Sequence, residues 1–134
     1  GADDPHGRKP LWWKDLNFEP ETRDNYTRKT NFKDPVGFDE SHFTYYQQLI
    51  QIRKSEKALQ HGKIEFKDHE SIFAYSRKLD DEEVLVLCNA NQIVATYDLP
   101  KQSKWINLMN NQVYEGKSIK LEPISGLILK RIRQ

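Results

Sequence analysis

At 134 residues the chain is one domain's worth of polypeptide, long enough to bury a core of its own. Its net charge of +1 gives no bulk electrostatic case for nucleic acid or an anionic membrane, and no apolar run approaches the roughly 20 residues that a membrane-spanning helix needs. The 37% apolar and 31% charged residues make it more polar than a compact monomer usually is, which points to surface meant for a neighbour or for water.

Residues 1–40 carry Pro5, Pro10, Pro20 and Pro35 together with Gly1, Gly7 and Gly37, and predict one long irregular segment. The same stretch holds Trp12, Trp13, Phe18, Tyr26, Phe32 and Phe38. A solvated tail is normally poor in aromatics, so the segment reads as a folded loop that lies on something. The chain opens at Gly1 with neither a methionine nor a signal peptide and reads as a fragment, which leaves its location unread.

Ser41 to Ser55 predicts an amphipathic helix. At 100° per residue Phe43, Tyr46, Leu49, Ile50 and Arg53 share one arc, edged by Tyr45 and Ile52, while Thr44, Gln47, Gln48, Gln51, Lys54 and Ser55 fill the other. Ser41 is placed to cap it, Asp39 and Glu40 suit the positive end of the dipole, and Arg53 and Lys54 suit the negative end. The apolar arc is wider than a helix leaning on one surface requires, so it is expected to pack on two things.

Gly62 ends the helical region, after which the period changes from 3.6 to 2. Strands are expected near Lys63 to Phe66, Ser71 to Lys78, Glu83 to Cys88, Ile93 to Leu99, Lys104 to Met109, Gln112 to Tyr114, Ser118 to Leu121 and Leu127 to Ile132. Asp80-Asp81, Asn89 to Asn91, Pro100, Asn110-Asn111, Glu115-Gly116 and Pro123 to Gly126 punctuate them. That spacing suits an antiparallel sandwich or barrel rather than βαβ units. Val84 to Cys88 is apolar without alternation, as a central strand covered on both faces would be. Trp105, Ile106 and Leu108 are expected to supply bulk to the core.

With these elements in place, three stretches resemble the α-amylase family of glycoside hydrolases, particularly its neopullulanase-like, maltogenic and cyclodextrin-acting members. GADDPHGRKPLWW resembles the loop after the eighth strand of that family's (β/α)8 barrel, matched at Asp4, Pro5, Arg8, Pro10 and Trp13. FTYYQQLIQIRKSEKALQHGKIEF resembles the last barrel helix and its exit, and SIFAYSRKLDDEEVLVLCNA the second and third strands of the C-terminal domain. The resemblance implies a mostly β chain: an irregular N-terminal segment and one α-helix over 1–60, then an antiparallel Greek-key β-sandwich of about eight strands over 61–134.

The same resemblance implies what the chain lacks. The family's nucleophile, general acid and transition-state stabiliser lie on the fourth, fifth and seventh barrel strands, all of which would precede Gly1. Retaining chemistry needs two carboxyl groups about 5–5.5 Å apart across the scissile bond, and the adjacent loop residues Asp3 and Asp4 cannot flank a sugar from opposite faces. The chain alone is therefore expected to be inactive. Its expected partners are the catalytic (β/α)8 barrel of a parent enzyme and an α-glucan oligosaccharide, with no nucleic acid and no membrane. The isolated fragment is open to self-association through its uncovered helix face.

By resemblance, Asp4 and Arg8 hydrogen-bond hydroxyls of donor-side glucose units: a carboxylate accepts from vicinal hydroxyls, and a guanidinium donates in a fixed fork. Asp4 and Arg8 pairing with each other is the alternative. Trp12 and Trp13 either stack on pyranose faces or pack on the barrel or helix. His6, His42, His61 and His69 have no ligand spacing, and Asp3, Asp4 and Asp24 fit no calcium loop, so neither metal nor cofactor is expected. The single cysteine, Cys88, excludes an internal disulfide and reads as a buried thiol. Lys130, Arg131 and Arg133 read as solvated strand positions. The alternative to an enzyme part is an independent carbohydrate-binding or oligomerisation module. A binding module would need exposed aromatics on the sandwich, for which only Trp105 and Tyr97 offer a pair.

Overall fold

A computed structural model describes residues 40–133, and the expected irregular segment, with Asp4, Arg8 and Trp13, lies outside them. Helix α1 spans Glu40–Ser55 and helix α2 Lys57–His61. Eight strands follow: β1 Lys63–Lys67, β2 Phe73–Leu79, β3 Glu82–Asn89, β4 Ala95–Asp98, β5 Lys104–Asn107, β6 Val113–Glu115, β7 Ser118–Leu121 and β8 Ser125–Ile132. Each lies on one of the eight expected runs. Described by itself, the stretch from Tyr46 onward is one compact unit.

Helix α1 begins at Glu40, so Ser41 lies inside the first turn rather than capping it. Its last carbonyls are satisfied by side chains. Gln60 Nε2 donates to the carbonyls of Arg53 at 3.0 Å and Lys54 at 2.8 Å, and Ser55 Oγ donates to that of Ile52 at 3.0 Å. Glu56 takes an extended conformation and separates the two helices. Gly62 ends α2 for want of space, not for conformational freedom: its φ is −67°, but a Cβ there would run into the carbonyl oxygen of Ala58 and lie 2.8 Å from that of Lys78.

All strand pairs are antiparallel, in a six-stranded sheet of order β1-β2-β3-β8-β5-β6 and a two-stranded sheet β4-β7. The chain leaves the large sheet after β3, and its last strand returns between β3 and β5, which is a Greek-key path. The core lies between the sheets. Ala74, Leu85, Leu87, Leu129 and Trp105 come from the large one, Ala95, Ile119 and Leu121 from the small one, and Ile72 and Leu99 close the edges. Asn89, buried at the end of β3, locks the sheets together: its amide donates to the carbonyls of Ile93, Leu121 and Glu122, and its Oδ1 accepts from the Asn91 N–H. Substituting it would orphan buried carbonyls.

Two expectations change. Ile106 is not core: it pairs with Lys130 on the outer face, one residue out of phase with the buried Trp105. Strand β3 is covered on both faces only at Val84, since Val86 and Cys88 on the outer side are half-buried.

Candidate docking face

The short helix α2 lies on the outer face of the large sheet, packed on β2 and β3. Arg77 Nε donates to the carbonyl of Gly62 at 3.0 Å, and Lys130 pairs with the buried Glu56. Arg77, Val84 and Lys130 are register partners on adjacent strands, so the helical segment roofs this row of the face. Lys130 is thus an ion-pair partner, not the solvated strand position the sequence suggested.

The next two rows of the face are apolar. Phe66, Tyr75, Val86 and Ile128 are consecutive register partners on β1, β2, β3 and β8, followed by Phe73, Cys88 and Gly126. Phe66 is 63% and Phe73 58% exposed. Their rings sit 6.0 Å apart, and Tyr75 stands 6.2 Å from Phe66 and 5.7 Å from Phe73, so the three aromatics form one cluster. Burial raises the Cys88 thiol above its ordinary pKa, and burial followed by the Cys88 charge raises the Tyr75 hydroxyl.

Edge strand β1 is oriented opposite to what a self-contained sandwich would choose. Its sequence KIEFK alternates, but Glu65 and Lys67 pair with Ser76 and Ala74, which are buried on the core side, whereas Ile64 and Phe66 point outward with Arg77 and Tyr75. Lys67 and Lys78 both pair with Glu65 on that side, where all three side chains keep access to solvent. The alternation could be read from sequence; which face it offered to the core could not.

Helix α1 divides its apolar arc in the same way. Ile52 is buried and Leu49 half-buried, while Ile50 on the other flank is 52% exposed, as are Phe43 and Tyr46 to a similar degree. From the helix, Gln48 Nε2 donates to the carbonyl of Met109 at 2.8 Å.

The two aromatics that could have marked a sugar platform are committed elsewhere. Trp105 is 1% exposed, donates from Nε1 to Ser103 Oγ at 2.7 Å and lies under the Arg131 guanidinium. Tyr97 is partnered with the buried Ile119 and stacks on His69 at 5.6 Å. His69 is itself held by three contacts, accepting on Nδ1 from the Ser71 and Ile72 N–H groups and facing the Thr96 carbonyl with Nε2.

Comparison with known proteins follows this geometry. Residues 64–126 match the family described as maltogenic amylase, C-terminal domain. The oligo-1,6-glucosidase of Bacillus cereus is 28% identical over 141 residues, covering 93% of this chain and 25% of the relative. Alpha-amylase 3 of Dictyoglomus thermophilum is 35% identical over 105 residues, covering 75% of the chain and 20% of the relative. Among solved structures, an isomaltulose synthase of Erwinia rhapontici in complex with D-glucose superposes with a TM-score of 0.60 at 31% identity, over 68% of this chain and 18% of that one. The chain therefore spans a quarter or less of the length of these relatives. Sandwich topology, family match and aligned relatives agree that this chain carries the C-terminal β-domain of the α-amylase family, glycoside hydrolase family 13.

Proposed function

We propose that the chain works as the C-terminal part of an α-glucan-acting glycoside hydrolase. In this reading residues 1–60 supply the loop after the last barrel strand and the last barrel helix, and residues 61–134 form a β-domain that holds that helix against the barrel. The observation that carries it is the split arc of α1. Ile52 is buried, while Ile50 on the opposite flank stays exposed, as in a helix built to be shared between two bodies. The relatives' names, glucosidase and amylase, and their greater length support the same reading.

The chemistry of such an enzyme sits mostly in the barrel. What this chain would add is grip on the sugar: the Asp4 carboxylate accepting from glucose hydroxyls, the Arg8 guanidinium donating to them, and Trp13 offering a ring to a pyranose face. Because the reaction's paired carboxylates would come from upstream strands, residues 1–134 on their own have no means of cleaving a glycosidic bond.

The test compares this chain with the longer polypeptide encoded through it, assayed on maltooligosaccharides and isomaltooligosaccharides. Turnover confined to the longer form is expected, with Asp4→Asn and Arg8→Lys raising KM there about tenfold, roughly the loss of one charge-assisted hydrogen bond. Turnover by the chain alone, above a buffer blank, would sink the reading.

A further inference from the structure

We infer that the β-domain carries a sugar-binding cleft of its own, where the β2–β3 hairpin meets the β4–β5 turn, and that this cleft takes a short α-glucan segment. The identity of the sugar rests on the proposed function; the cleft itself does not. Beyond the buried Ser76, Leu85 and Leu129, the inner face of the large sheet continues two residues along each strand into Lys78, Glu83 and Arg131. Charged side chains follow apolar ones there, so the face stops being core and becomes a floor open to water. These residues line an open cleft of about 490 Å³, within the roughly 300–1,000 Å³ of small-molecule sites. The floor is prearranged. Ser76 Oγ donates to Glu83 Oε1 at 3.0 Å, Arg131 Nη1 donates to Glu83 Oε2 at 3.2 Å, and the same guanidinium lies over the Trp105 ring at 5.8 Å. Arg131 spends one N–H of its fork on that pair and is 47% exposed, which leaves donors for a ligand.

The lining selects the ligand. Three cations, Lys78, Arg131 and Arg133, share the cleft with the four carboxylates of Asp80, Asp81, Glu82 and Glu83, a balance that disfavours an anion. Among the described residues no group of carboxylates converges as a metal ion requires. Such mixed signs suit a neutral molecule whose hydroxyls donate to carboxylates and accept from guanidiniums. Glu82 Oε2 is shut from water without a hydrogen-bond partner, an acceptor that a sugar hydroxyl would satisfy. Ile132 and the methylene stems of the arginines offer apolar surface to a pyranose face. On the rim, Gln102 is held at a φ of 56°, a region that suits glycine or asparagine better. Its turn is fixed from below: Ser103 Oγ donates to the Pro100 carbonyl and accepts from Trp105 Nε1, and the Gly116 N–H donates to the Ser103 carbonyl at 2.7 Å. A strained backbone that presents a polar side chain at the edge of a cleft fits a ligand clamp.

The experiment titrates this chain, isotope-labelled, with maltotriose and follows backbone and side-chain N–H shifts by NMR. Shifts at Lys78, Gln102, Ser103 and Arg131 are expected to saturate together with one dissociation constant. Arg131→Met and Gln102→Gly are each expected to weaken that binding at least fivefold, and Ile93→Ser on the exposed β3–β4 loop to change it less than twofold. Gln102→Gly changes an exposed turn residue to one that accepts its φ, so it stays informative if Arg131→Met fails to fold. Shifts confined to residues 1–40, or none at the cleft up to about 50 mM sugar, weaker than a few hydrogen bonds would give, would overturn the inference. Parallel titrations use inorganic phosphate and spermidine. If either moves the cleft residues while maltotriose does not, the site reads charge rather than hydroxyls and the assignment is wrong. None of these outcomes bears on the proposed function, which is read by turnover in the longer polypeptide.

Discussion

Glu56 Oε2 accepts from Lys130 Nζ across 2.7 Å, joining the residue between the two helices to the middle of the last strand, 74 positions later. The carboxylate is the more buried partner, its side chain 11% exposed against 33% for the lysine. The two halves of the pair are therefore not equivalent. Lys130→Met leaves a carboxylate with little access to water and is expected to cost about 2 kcal/mol, whereas Glu56→Gln leaves an ammonium that still reaches solvent and costs about 1 kcal/mol, after allowing for screening. Urea denaturation of the two variants checks the order. Losses within a few tenths of a kcal/mol of zero for both would reduce the pair to an ordinary surface contact.

The glycines give a prediction of contrast. An added Cβ at Gly62 meets the Ala58 and Lys78 carbonyls, and one at Gly116 meets the Pro100 carbonyl, all backbone atoms that cannot step aside. At Gly126 the nearest atom is the Leu87 carbonyl oxygen at 3.2 Å. Gly62→Ala and Gly116→Ala are expected to cost about 2 kcal/mol or more, and Gly126→Ala about 1 kcal/mol or less. Equal midpoints for Gly62→Ala and Gly126→Ala would contradict the packing described around α2.

Glu65 sets the acid behaviour of the edge strand. Hydrogen bonds from Lys67 and then Lys78, with their charges, lower its pKa from 4.5 to about 2. A depressed carboxylate contributes stability that is present above its unfolded pKa and is lost as pH falls through the folded one. Glu65 should thus stabilise the fold above pH 4.5 and lose that contribution between there and pH 2. NMR titration of its carboxyl should place the midpoint near the bottom of that window at low salt, moving upward in 1 M NaCl because the cluster is exposed. A midpoint at the ordinary value would remove the Lys67–Glu65–Lys78 cluster from the account.

Ile124 is held at a φ of 50° while 63% exposed, a backbone region that β-branched residues avoid. No packing offsets the strain. Ile124→Asn is expected to raise stability by roughly 0.5–1 kcal/mol, since asparagine tolerates that conformation. A fall in melting temperature would mean the side chain makes contacts that its exposure conceals.

Most of the fold was legible because its signals are local. Asp80-Asp81 reads as a turn and closes the β2–β3 hairpin, with Asp80 at a φ of 53° and Leu79 opposite Glu82. Ile72 and Ala74 turn inward while Phe73 and Tyr75 turn out, as their alternation requires. What could not be read were the relations between distant residues. The pairing of Glu56 with Lys130 has no periodic trace, and neither does the choice of face on β1, where Lys63, Glu65 and Lys67 could equally have been the solvent side. The tightest constraint on Gly62, collision with two carbonyls, looks in sequence the same as an ordinary helix stop. The sugar-contact residues Asp4, Arg8 and Trp13 rest on motif resemblance alone, because they fall outside the described residues.

Hydroxyl-radical footprinting tests the central claim most directly, because it reads side-chain exposure residue by residue. It is carried out on this chain and on the longer polypeptide encoded through it. Oxidation of Ile50, Phe66 and Phe73 should fall at least fivefold in the longer form, while Ile93 and Ile124 change by less than twofold. Undiminished oxidation of Phe66, Phe73 and Ile50 in the longer polypeptide would contradict the claim that this β-domain and its helix are built to be covered by a barrel.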